Sequence, residues 1–134
     1  MIPIKRNYLP LILIFIFVQL NCQKPTVHTQ SGNVQHIVFC WLSNPGDEAA
    51  KQKIIDTSKS FEKIPGVLRV FVGGAISSER PVVDDSFDIG IIITCKNREA
   101  LQNYQQHPQH IKASKEVLQP LVSKILVYDI DTAK

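Results

Sequence analysis

Between residues 34 and 131 the chain runs through four β-type stretches and two helical periods in the order strand, helix, strand, strand, helix, strand. That order restricts the fold more than any single motif does. Val34 to Leu42 alternates His36, Val38, Cys40 and Leu42 against Ile37, Phe39 and Trp41, and both sets are apolar enough to require cover. Asn44-Pro45-Gly46-Asp47 then breaks the chain and opens a helix. On it Ala50, Ile54, Phe61 and Ile64 recur at helical spacing while lysines take the outside. Pro65-Gly66 stops this helix, and Val67 to Val72, rich in apolar and β-branched residues, forms a second strand ending at Gly73-Gly74. A polar loop holding Ser77, Ser78, Glu79, Arg80, Pro81, Asp84 and Asp85 leads into a third strand, Phe87 to Lys96, with Ile89, Ile91, Ile93 and Cys95 on one face. Asn97 is a suitable cap for a second helix bearing Ala100, Leu101 and Tyr104, which resumes beyond Pro108 with Ile111, Val117 and Leu118 and ends at Pro120. Lys124 to Asp131 alternates Ile125, Val127 and Asp129 against Leu126, Tyr128 and Ile130 as a last strand.

This is the split βαβ pattern of an α+β, ferredoxin-like βαββαβ fold: a four-stranded antiparallel sheet with both helices on one side. Such a sheet keeps one face bare. Val38, Leu42, Ile91 and Ile93 are expected on that outlying face, an apolar patch too large to stand in water. A second copy laid sheet against sheet would cover it, making a homodimeric α/β barrel around a cavity.

The segment Tyr104-Gln105-Gln106-His107-Pro108-Gln109-His110 sets a phenol and two imidazoles around a helix break. Proline pushes the preceding residue out of the helical region and itself suits the first position of a new helix. His107 therefore falls at the cap of the second piece and His110 in its first turn. There the unpaired backbone N–H groups favour a neutral imidazole. Tyr104 and His110 are the candidate acid/base pair, with His107 counted to the same corner. The alternative is structural: His107 caps the helix and Tyr104 packs on the sheet. Two neighbouring imidazoles fall short of the three or four protein ligands that zinc takes, so no metal or other cofactor is expected.

The beginning of the chain has a separate meaning. Lys5 and Arg6 precede a run from Leu9 to Leu20 that is apolar apart from Pro10 and Gln19, the plan of a secretory signal and too short for a comfortable membrane span. Gln19-Leu20-Asn21-Cys22 follows and resembles a bacterial lipobox, with Asn21 where a smaller residue is usual and Gln19 where leucine is usual. The expectation is a leader over residues 1–21, a lipidated Cys22 opening a polar tether over 22–33, and a domain over 34–131. That would make a lipoprotein anchored in the membrane of a bacterial cell envelope; a secreted or periplasmic protein and an uncleaved anchor helix are the alternatives. Without the leader, 13 basic residues stand against 12 acidic ones, a net charge of +1. No basic stripe or interleaved aromatic platform is present, which excludes nucleic acid as a partner. Cys40 and Cys95 both fall in apolar strands, where free cysteine serves as a small buried hydrophobe.

Five landmarks carry a family resemblance: His36-Ile37-Val38-Phe39, Ile64-Pro65-Gly66-Val67, Phe87-Asp88-Ile89-Gly90, His107-Pro108-Gln109-His110 and Leu126-Val127-Tyr128-Asp129. Together they resemble a stress-responsive A/B barrel (Dabb) domain, and the match spans nearly the whole chain behind the leader. The resemblance implies a homodimeric α+β barrel. One plant member of the family is a polyketide cyclase, and its catalytic tyrosine and histidine correspond to Tyr104 and His110. A pocket histidine of that enzyme corresponds to His36, whereas another is replaced here by Ile89. The expected protein is a dimer that binds a small apolar or aromatic molecule in its cavity, with polar contacts from His36, Tyr104 and His110. A cyclase- or isomerase-type enzyme, a monooxygenase or haem-handling dimer, and a structural dimer with no ligand are the other readings.

Overall fold

The computed structural model describes residues 33–132. The leader, Cys22 and all of the tether but Asn33 lie outside the described residues. Four strands, β1 (Val34–Leu42), β2 (Val67–Gly73), β3 (Ile89–Cys95) and β4 (Val122–Asp131), form one sheet in the order β2-β3-β1-β4, and every neighbouring pair is antiparallel. This is the ferredoxin-like α+β arrangement that the order of elements requires.

The helix α1 (Glu48–Lys59) begins where Asp47 accepts the N–H of Ala50 at 2.9 Å and tightens into a 3₁₀ turn over Ser60–Lys63. The chain crosses back to the sheet through Gly66, at φ +88°, a left-handed conformation that suits glycine. A Cβ on Gly66 would also stand 2.7 Å from the Cβ of Ala100, so the Pro65-Gly66 landmark is required by packing as well as by the turn. Asp88 gives another landmark its reason. Its carboxylate accepts the Leu42 N–H at 2.7 Å while its own N–H donates to the Cys40 carbonyl at 3.0 Å, which extends the β1–β3 ladder past the loop.

Asn97 caps α2 (Arg98–Gln106) by accepting the N–H of Ala100 at 2.8 Å. At His107 the backbone turns extended (φ −65°, ψ 133°), and α3 (Pro108–Ala113) starts afresh with proline in its first turn. The chain then runs through a π-helical turn, Ser114–Leu118, into a short α4 (Gln119–Leu121) that passes directly into β4. Pro120 thus sits inside the last helical turn.

The buried core gathers Ala50, Ile54, Phe61 and Ile64 from the first helical segment, Leu101 and Tyr104 from α2, and Val34, Val38, Cys40, Leu42, Ile89, Ile91, Ile93 and Cys95 from the two central strands. This corrects one expectation. Val38, Leu42, Ile91 and Ile93 face the helices, and the bare face instead carries the opposite pleat, with Phe39 against Phe87 at 4.7 Å between ring centres and Tyr128 at 6.5 Å, and Ile92 38 % exposed. Strand alternation tells which residues share a face but not which face the helices cover, because both sets on β1 and β3 are apolar. The inference of an uncovered apolar sheet survives with other residues: Phe71, Leu126, Tyr128 and Ile130 are also exposed. Cys40 and Cys95 are both free and buried; Cys40 pairs with Ile89 and Cys95 with Val34, at opposite ends of the ladder. Among the described residues no helix is long and apolar enough to cross a membrane.

Candidate functional site

His36, Tyr104 and His110 converge although they come from β1, α2 and α3. The rings of Tyr104 and His110 lie 4.5 Å apart, His36 stands edge-on to Tyr104 at 5.7 Å, and Phe61 backs both Tyr104 and His110 at 5.7 and 5.8 Å. The helix break brings this about. Tyr104 lies in the last turn of α2 and His110 in the first of α3, so the kink at His107–Pro108 folds the two rings toward each other. Gln109 then pins α3 to the end of the first helical segment, its side-chain amide donating to the Ser60 carbonyl at 3.1 Å and to the Ser60 hydroxyl at 2.8 Å.

The hydrogen bonds fix the protons. His110 Nδ1 lies 3.1 Å from the Gln105 carbonyl, which only accepts, so Nδ1 carries the hydrogen and the neutral ring presents Nε2 as a lone pair. Burial holds the His110 imidazolium below the ordinary histidine range; the Gln105 carbonyl opposes this, and nearby His36 and His107 reinforce it. Neutrality thus has the expected sign, with desolvation and the neighbouring imidazoles as causes. Tyr104 is 1 % exposed, and burial, with Cys95 nearby, drives its phenol well above the usual tyrosine range, so it stays protonated. Among the described residues its hydroxyl has no hydrogen-bond partner, yet its oxygen is not sealed off. His36 Nδ1 donates to the Asp129 carboxylate at 2.6 Å, which leaves its Nε2 free as well.

These groups open onto a cavity of about 40 Å³, lined by His36, Tyr104 and His110 and by apolar side chains including Ile54, Phe61, Ile91 and Val117. This cavity lies inside one chain, between the sheet and the helices. Two expected pocket residues fall outside its lining. Ile89 is fully buried one pleat beyond Ile91, and the Nδ1 of His107 turns back to accept the Gln109 N–H at 3.2 Å, capping α3. Two further residues belong to the site without a motif to mark them. Asp129 holds His36, and its signal in the sequence is a carboxylate on β4 at the register position that pairs with His36. Ser58, 2 % exposed, lines the cavity from α1, one turn after Ile54 on the apolar stripe.

The sheet order β2-β3-β1-β4 with the helices on one face places the chain in the ferredoxin-like class of small α+β domains. The chain belongs to the stress responsive A/B barrel domain (Dabb) family, whose model matches residues 34–132. Among solved structures, a Dabb family protein with a ferredoxin-like fold from Mesorhizobium loti is 25% identical, with 75% of this chain and 96% of that one covered and a TM-score of 0.62. A hydroxynitrile lyase from Passiflora edulis superposes with a TM-score of 0.65 at 21% identity, covering 75% of this chain and 93% of the other. A dimeric ferredoxin-like protein of unknown function from Thermobifida fusca does so with a TM-score of 0.62 at 15% identity, covering 78% and 95%. These last two share the fold with this chain. No curated protein matches it.

Proposed function

We propose that the protein is a homodimeric Dabb domain in which each protomer binds a small, largely apolar carbonyl compound beneath its helices and moves a proton on it. The observation that carries this reading is the pairing of a protonated, unpartnered Tyr104 hydroxyl with a neutral His110 whose Nε2 is free, on one cavity. Tyr104 donates its hydrogen bond to the carbonyl oxygen of the bound molecule. His110 Nε2 removes a proton from the adjacent carbon, the electron pair of that C–H bond moves into a carbon–carbon double bond, and the carbonyl π pair goes to the oxygen held by Tyr104. The imidazolium formed keeps its Nδ1–H on the Gln105 carbonyl and returns the proton to the same carbon or, where the bound molecule is a β,γ-unsaturated carbonyl compound, to its γ carbon as the double bond moves into conjugation. This is isomerase-type chemistry, complete without a further reactant. That one fold neighbour is named a hydroxynitrile lyase agrees with catalysis on this scaffold without naming the substrate here.

The size of the cavity narrows the ligand. A cavity of 40 Å³ holds about three waters, whereas sites for drug-sized molecules measure about 300–1,000 Å³. An aromatic ligand requires the cover, α3 and the π-helical turn that follows, to move outward; these elements contain no buried residue. Self-pairing through the bare sheet face is supported by the dimeric neighbours and by apolar side chains, each contributing about 1.5–3 kcal/mol when fully buried. A lipidated Cys22 and a place in the cell envelope are proposed from the leader pattern alone, and replacing Cys22 with serine should move the protein into the aqueous phase of a detergent extraction.

Native mass spectrometry of the chain purified from cells tests the reading. A dimer carrying a reproducible small mass that Tyr104→Phe and His110→Ala both remove is the expected result. A dimer that is always empty, in wild type and variants alike, would return the protein to the structural reading.

A further inference from the structure

We propose that Ser58 is a second polar anchor of this cavity, and that the bound molecule therefore carries two oxygen functions, a carbonyl held at Tyr104 and a hydroxyl or second carbonyl held at Ser58. This deepens the acid–base reading and rests on it. Ser58 follows Ala50 and Ile54 at successive four-residue steps along α1, a stripe pressed against the sheet where an apolar residue would serve packing better. It is 2 % exposed and lines the cavity together with Tyr104 and His110.

The hydroxyl is also idle. A helical serine ordinarily satisfies itself by donating to a carbonyl one turn back, as Ser60 does with the Thr57 carbonyl at 2.6 Å. Among the described residues Ser58 makes no such bond, and its oxygen is nonetheless not sealed away from solvent. Its remaining outlet is the cavity. A hydroxyl that meets no protein partner takes its bond from water in the cavity or from the molecule that displaces that water. Tyr104 from α2 and Ser58 from α1 thus offer two unpartnered hydroxyls to one space, otherwise walled by Ile54, Phe61, Ile91 and Ile93. A ligand with a single polar end would leave one of them unsatisfied.

The test uses acetone and hydroxyacetone, which differ by one hydroxyl, titrated into wild type and Ser58→Ala and followed by NMR shifts of the histidine rings. One hydrogen bond corresponds to about three- to tenfold in affinity. Wild type should prefer hydroxyacetone by about that factor, and Ser58→Ala should lose the preference while binding acetone as before. Its melting temperature should stay level or rise, because alanine is the better helix former; a serine kept for folding would give the opposite. A preference undiminished in Ser58→Ala, or no preference in wild type, overturns the role of Ser58 and leaves the acid–base reading standing. If neither compound shifts the histidines of wild type, both readings fall.

Discussion

Replacing Tyr104 with phenylalanine separates function from stability. The substitution removes one oxygen and keeps the ring, so the contacts with His36, Phe61 and His110 at 4.5–5.7 Å between centres remain. Were the hydroxyl a structural bond, its loss would cost about 1 kcal/mol, or about 4–8 °C in melting temperature for a domain near 100 residues. It has no partner among the described residues and its oxygen is not sealed from solvent, so phenylalanine breaks no bond within the protein and the melting temperature should hold. Proton transfer should respond the other way. Losing one donor to a developing oxyanion costs about 2.7–4 kcal/mol, a factor of about 10²–10³ in rate. Calorimetric unfolding together with ¹H/²H exchange at the carbon beside the hydroxyacetone carbonyl, followed by NMR, measures both. A variant that melts several degrees lower while exchanging the probe as fast as wild type would refute the reasoning.

Titration of buried groups should shape the pH dependence of stability from both ends. His110 has a depressed value in the folded state, so between that value and the ordinary one near 6.5 the unfolded chain binds more protons. Stability should therefore fall as pH is lowered through that window, and His110→Gln should flatten the decline seen by urea unfolding. On the alkaline side burial pushes the Cys40 thiol up to about 11, from 9.0. The unfolded thiol ionises first, stability should decline as pH rises between those values, and Cys40→Ala should lessen the loss. Ile92→Asp, on the bare sheet face, should give a folded monomer by analytical ultracentrifugation; Ile91→Asp, beneath the helices at 4 % exposure, should not fold. An Ile92→Asp dimer of undiminished affinity would contradict pairing through that face. Gly66→Ala combines a left-handed backbone with a 2.7 Å approach to Ala100 and should cost at least about 2 kcal/mol in urea unfolding.

Elements were legible where periodicity and capping agreed. β1 runs from Val34 to Leu42 as its alternation indicates, and Asp47 and Asn97 cap the helices whose starts they mark. The third strand is shorter than its apolar run, because Phe87 and Asp88 finish the loop and Asp88 spends its side chain on β1. The choice of covered face was not legible. It depends on how the helical stripe meets the sheet, and β1 and β3 are apolar on both sides. Within the site, Tyr104 and His110 were readable from the proline between them, a local constraint. Asp129 and Ser58 were not, since their roles arise from pairings across 93 residues and across a cavity. His107 shows the reverse, with an apparent site residue occupied by its own helix cap.

The tautomer and titration of His110 carry the proposed chemistry, and ¹⁵N NMR of the histidine rings measures both in one experiment. At neutral pH Nδ1 should show the shift of a protonated nitrogen and Nε2 that of a free lone pair, with a midpoint below the usual 6.5. A ring protonated at Nε2, or one that titrates above that value, would contradict a general base at His110.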